Sequence, residues 1–123
     1  MGFQVTMPAF DRPGGEGRGA PRARLVDLSH LSRQTMGDRD IEQEVLALFA
    51  HQAAAVAEEI EAADIGERLR LAHGLKGSAR GVGAFPIADC AEELEKHPQD
   101  KAVVGRLRRL IAETRDFIAA ISR

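Results

Sequence analysis

A chain of 123 residues with 44% hydrophobic side chains fits one domain that can bury its own core without disulfides or a metal. The formal charge of −2 excludes a strongly basic nucleic-acid binder, and a single cysteine, Cys90, excludes an intramolecular disulfide and fits a reducing compartment. No apolar run approaches the ~18 residues of a membrane span, and the N-terminus has no hydrophobic signal core, so the composition reads as that of a soluble cytoplasmic protein. Only 4% of the residues are aromatic, and the apolar set is mostly Ala, Leu, Ile and Val among many Glu and Arg, a mixture that favours helices.

Residues 1–24 differ from the rest. Between Arg12 and Arg22 the chain is rich in Gly, Pro and Arg, and it cannot bury enough apolar surface to offset its chain entropy. This stretch reads as a flexible tail ahead of a helical domain over residues 25–123. Leu25, Val26, Leu28 and Leu31 suggest a short helix or turn ending near Gly37. A longer helix is expected from about Ile41 to Ala62, with Asp40 as N-cap and Gln43 as its capping-box partner. Its apolar stripe is Ile41, Val45, Leu48, Phe49, Val56 and Ile60, interrupted by Gln52. Asp64 and Glu67 form the next cap-like pair, opening a segment from Ile65 to Gly83, where a left-handed glycine can end it. Pro86 suits the first turn of a further helix through Lys96, with Ile87, Cys90, Ala91 and Leu94 as its core line, stopped by His97-Pro98. Asp100 caps a last helix from Lys101 to Ser122, in which Val103, Val104, Leu107, Leu110, Ile111, Phe117, Ile118 and Ile121 keep a helical period. Strand alternation and internal repeats are both missing from the pattern. The short connections predict antiparallel neighbours: an all-α, up-and-down four-helix bundle with a short additional N-terminal helix.

The chemistry is concentrated in Leu71-Ala72-His73-Gly74-Leu75-Lys76-Gly77-Ser78-Ala79-Arg80-Gly81-Val82-Gly83. At ~100° per residue, Leu71, Leu75, Ser78 and Val82 share one face, expected to be buried. His73, Lys76, Gly77 and Arg80 share the opposite face, with Leu69 and Arg70 at its edge. A neutral imidazole nitrogen is a good nucleophile near pH 7. A phosphoryl group on it would bring about two negative charges, which Lys76 and Arg80 could balance from one and two turns along. Gly77 removes bulk from the approach side. Three glycines within one helix, Gly74, Gly77 and Gly81, are a local propensity defect of the kind that marks functional sites.

The string His73-Gly74-Leu75-Lys76-Gly77-Ser78, followed by Gly83-Ala84, resembles the H-x-L-K-G-S signature of histidine-containing phosphotransfer (HPt) domains. Cys90 to Leu94-Glu95 is similar to the C-x-x-L-E of that family's next helix, and Val26-Asp27-Leu28, Gly37-Asp38 and Leu48-Phe49 extend the likeness from about Leu25 to the C-terminus. The resemblance implies that His73 accepts phosphate, that Lys76 positions or neutralises it, and that Gly77 provides clearance. It also implies a polar side chain from the preceding long helix near the histidine, for which Gln52 is the candidate. Gly74 is a small departure, at a variable position of the signature. The implied function is that of a phosphorelay intermediate, taking a phosphoryl group from a receiver aspartate and passing it to another. The implied partners are response-regulator receiver domains and a hybrid histidine kinase, met by Leu69, Arg70 and Arg80. Mg²⁺ would belong to the receiver, and this chain would need no cofactor.

Other readings stay open on the sequence alone. A non-catalytic receiver-binding module could keep the fold without transfer, although the intact His73 argues against it. The dimerisation and phosphoacceptor part of a histidine kinase normally carries an acid after the histidine, where Gly74 stands, and no kinase domain fits in this length. Lys76-Gly77-Ser78 reverses the Walker A order, and Pro86 stands where a dinucleotide fingerprint needs its last glycine, so no nucleotide site is expected and the chain reads as a carrier rather than an enzyme. His30, His51 and His97 have no ligand-like spacing, so no metal site is expected. The expected state is a monomer that binds neither nucleic acid nor membrane.

Overall fold

The structure, a computed structural model, describes residues 25–122; the expected tail over residues 1–24 lies outside them. The described residues are all-helical, in five elements: α1 (Leu28–Gln34), α2 (Arg39–Glu59), α3 (Ile65–Val82), α4 (Phe85–Lys96) and α5 (Lys101–Ile121). Among them, no helix is long and apolar enough to cross a membrane. The four longer helices close a ring of contacts, α2 on α3, α3 on α4, α4 on α5 and α5 back on α2, while α1 packs on α2 and α3.

Local chemistry sets most of the boundaries. Asp64, in an extended conformation, accepts a hydrogen bond from the Glu67 N–H at 2.8 Å and starts α3, and Asp100 starts α5 by accepting from Ala102 N–H at 2.9 Å. Gly83 ends α3 with φ +90°. A Cβ there would stand 2.8 Å from the Asp27 carbonyl oxygen, and the Gly83 carbonyl accepts from the Asp27 N–H at 2.8 Å. Glycine is therefore required twice, by the left-handed backbone and by the close approach of the segment entering α1. Asp27 in turn caps α1 by accepting from His30 N–H.

Several expectations need correction. The N-cap of α2 is Asp38, whose carboxylate accepts from Ile41 N–H at 3.1 Å. Asp40 lies inside the first turn, where its charge complements the helix dipole, and Gln43 is not a capping-box partner. The helix stops at Glu59 rather than Ala62. Its buried face is Leu46, Phe49, Ala53, Val56 and Ile60, leaving Leu48 71% and Ile41 45% exposed. Those two belong to a neighbouring line, Ile41-Val45-Leu48-Gln52, of which only Val45 packs in part against the core. In α1, Leu25 and Val26 are buried but precede the helix, and Leu28 is exposed. In α5, Ile121 is exposed and Leu110 only partly buried, whereas Thr114 is buried.

The core seam of α3 runs through Arg68, Ala72, Leu75, Ala79 and Val82; Leu71 and Ser78 are only half-buried. Alanines hold the centre because α4 presents Ala88 and Ala91 to the core, and small residues let two helix backbones approach closely. Cys90 is a core residue as expected: its thiol faces the Val103 carbonyl at 3.7 Å, and burial raises its pKa. Arg68 was not singled out from the sequence. Its guanidinium is buried and donates to the carbonyls of Ile60 at 3.0 Å, Glu61 at 2.7 Å and Pro98 at 2.9 Å. It thus satisfies the otherwise orphaned C-terminus of α2 and ties it to the loop before α5.

Candidate functional site

The packing of α3 on α4 places His73 opposite Glu95. The His73 side chain is 74% exposed, and its Nδ1 lies 2.9 Å from Glu95 Oε2. Lys76, one turn along α3, reaches the other carboxylate oxygen: Nζ is 2.5 Å from Oε1. This second contact is one of charge rather than direction, because no aligned hydrogen bond closes on that buried oxygen. Glu95 and Lys76 are only 21% and 18% exposed, so the histidine stands out from the surface while its supports are held.

The charge state follows from the contacts. Lys76 chiefly, and then the His73 hydrogen bond, hold the Glu95 carboxyl below its ordinary value against the opposing effect of burial. An ionised carboxylate only accepts hydrogen bonds. The proton of a neutral His73 ring therefore sits on Nδ1, and Nε2 is left with the free lone pair. The role of Glu95 was not read from the sequence beyond its place in a motif; nothing local signals it, since the bond spans 22 residues and depends on how two helices pack.

The glycines beside His73 answer to no packing demand. A Cβ at Gly74 or at Gly77 would meet no atom within 4 Å, so the fold would accept a larger residue at either position. Each glycine in a helix interior costs about 1 kcal/mol relative to alanine. The bare surface is thus a feature of the exposed face of α3, not of the core.

The remaining site candidates are placed less simply. The expected outward cation Lys76 is folded down onto Glu95. Arg80 Nη2 is 2.7 Å from Glu92 Oε1, and Arg70 makes a two-pronged contact with Glu67, its Nε 3.0 Å from Oε1. Arg70, Lys76 and Arg80, the cations expected to meet the partner, are therefore each matched by an acid of this chain. That correction has a physical source: glutamates one turn away on α3 and across the seam on α4 lie within side-chain reach. Arg70 lowers the Glu67 pKa through that hydrogen bond. Leu69 is half-buried. Gln52 is also half-buried and, among the described residues, makes no hydrogen bond to His73.

A nucleophilic imidazole nitrogen on an exposed ring, backed by an ionised carboxylate and a neighbouring ammonium, can take up and release an electrophilic group. Comparison with known proteins agrees in kind. No curated protein and no solved structure gives a significant match to the chain. A family model for the Hpt domain matches residues 40–119, more than half of the sequence and the whole of α3 and α4. With that match spanning the exposed histidine and the helix that orients it, the chain belongs to the histidine phosphotransfer (Hpt) domain family, whose members carry phosphoryl groups in two-component phosphorelays.

Proposed function

We propose that His73 accepts a phosphoryl group from the phosphorylated aspartate of one receiver domain and passes it to the aspartate of another. The observation that carries this reading is the Nδ1–Glu95 hydrogen bond at 2.9 Å on a largely exposed ring. In the forward step, Nε2 attacks phosphorus, the bond from phosphorus to the aspartyl oxygen breaks, and the electron pair leaves with the aspartate carboxylate. Positive charge grows on the ring as the N–P bond forms, and Glu95 stabilises it through Nδ1–H. Lys76 keeps a positive charge beside the arriving phosphoryl oxygens. The second transfer is the same displacement in reverse, and both rest on positioning and charge.

Gly77 gives the receiver clearance, and Leu69, Arg70 and Arg80 lie on the docking rim, with Gln52 at its α2 edge. The four long helices form an up-and-down antiparallel bundle, a reading supported by their short connections and their ring of contacts. Residues 25–123 form the carrier domain, residues 1–24 are an appended tail, and the protein works as a monomer. Mg²⁺ belongs to the receiver, and the chain does not label itself from ATP.

The test is direct. Wild type and His73→Gln are incubated with a phosphorylated receiver domain from the same organism, and label is followed over time. Rapid label on the wild type and none on His73→Gln is expected. Equal labelling of the two proteins sinks the assignment.

A further inference from the structure

Beyond the histidine, the α3–α4 seam carries two facing rows of charge. On α3 these are Lys76 and Arg80, and on α4 they are Asp89, Glu92 and Glu95, spaced three apart and so on one side of the helix. Glu95 is committed to His73 and Lys76. Glu92 holds Arg80 at 2.7 Å through Oε1 and lies 3.8 Å from Lys96 through Oε2. Asp89 lies one turn further on, where partial burial and then the Glu92 carboxylate raise its pKa against the opposing charge of Arg80. Both partners of the Arg80–Glu92 pair stay open to solvent, with side chains 52% and 38% exposed.

The arrangement has consequences for whatever docks on His73. A receiver's own reaction centre is acidic, so it would be attracted by a free Arg80 and repelled by Glu92 and Asp89. An exposed ion pair contributes little to stability, so a partner with matching charges can rearrange it easily. Like charges brought together at an interface cost far more, and they act chiefly by excluding wrong partners. Arg80 lies seven residues from His73, about 10 Å along the helix axis.

Resting on the receiver-docking reading above, we propose that Glu92 determines which receivers dock: it occupies Arg80, two turns along α3 from His73, and offers its own carboxylate there, so it admits a receiver with a Lys or Arg opposite it and rejects one that presents only acids there. The cation on the receiver takes up Glu92, and the released Arg80 turns to a receiver carboxylate. Selection thus works by exchange of ion pairs, not by a standing basic patch.

The experiment measures kcat/KM for transfer from each phosphorylated receiver of the source organism to the full-length protein, in wild type, Glu92→Gln and Glu92→Lys. For the receiver that wild type prefers, Glu92→Lys should lower kcat/KM about tenfold or more, through KM rather than kcat. Reversing the opposing Lys or Arg of that receiver to Glu should restore transfer to Glu92→Lys. Receivers that wild type rejects should gain with Glu92→Gln. The contrast between variants should shrink as salt screens the pairs. An unchanged order of preference across the variants overturns the proposal, as does a loss confined to kcat. Should no receiver label wild type at all, the receiver-docking reading itself falls, which is a separate and distinguishable result.

Discussion

Replacing Glu95 separates its two contributions to His73. Glu95→Ala removes the acceptor that fixes the ring and the charge that supports it. A hydrogen bond to a charged group contributes about 1.5–3 kcal/mol, and at ~1.4 kcal/mol per decade the transfer step should slow by about 10- to 150-fold. The slowing measures only how much stronger the bond is in the transition state than in the resting ring, so these figures are its upper range. Glu95→Gln keeps an oxygen for Nδ1–H and loses the charge. A neutral hydrogen bond contributes ~1 kcal/mol, so the loss in rate should be smaller, about two- to thirtyfold. Rapid-quench transfer at saturating phosphorylated receiver gives the rates, and nitrogen chemical shifts of the His73 ring give the tautomer. Wild type should show the proton on Nδ1; Glu95→Ala should show a mixture. Wild-type transfer and an unchanged tautomer in Glu95→Ala would refute the role derived for this residue.

Three further outcomes follow. Gly83→Ala should destabilise the fold by about 2–4 kcal/mol, from a left-handed alanine and the lost approach of Asp27; urea unfolding checks it, and a change below ~0.5 kcal/mol contradicts the geometry. Gly77→Ala should do the opposite to stability, raising it by up to ~1 kcal/mol because its Cβ meets nothing. The bulkier Gly77→Gln should still fold but transfer poorly, and transfer as fast as wild type would remove the case for clearance. The third concerns acid. Folding holds the Glu95 pKa below its ordinary value of 4.5, so its contribution to stability is complete above that value and is lost as pH falls through the depressed folded value. The stability difference between wild type and Glu95→Gln should therefore collapse on acidification, and a difference that persists or grows in acid rules the linkage out.

Much of the fold was legible because helix ends are local events. Asp64, Gly83, Pro86, His97-Pro98 and Asp100 each act on residues within one turn, and each lies where the pattern put it. Asp38 and Asp40 could not be separated in that way, since both precede the same apolar run. The buried faces were harder. On α2 the conspicuous line Ile41-Val45-Leu48 competed with Leu46-Phe49-Ala53-Val56-Ile60, and Ala53 gives the true line little contrast. On α3 the seam runs through Ala72 and Ala79, so the larger Leu71 drew the projection one residue aside. The site divides along the same boundary. That His73 is exposed and flanked by Lys76 and Gly77 follows from helical period alone. That Glu95 fixes its tautomer, that Arg70 and Arg80 are paired, and that Arg68 binds three carbonyls all depend on contacts between elements, which period does not carry.

The central claim is that His73 carries the phosphoryl group on Nε2 because Glu95 occupies Nδ1. Phosphorus and nitrogen magnetic resonance of the protein, phosphorylated by a receiver and labelled with ¹⁵N in its histidines, tests it most directly. The account predicts a single phosphorus–nitrogen coupling, to Nε2 of His73, with Nδ1 still protonated and bonded to Glu95. A phosphoryl group on Nδ1, or on any other residue, would contradict it.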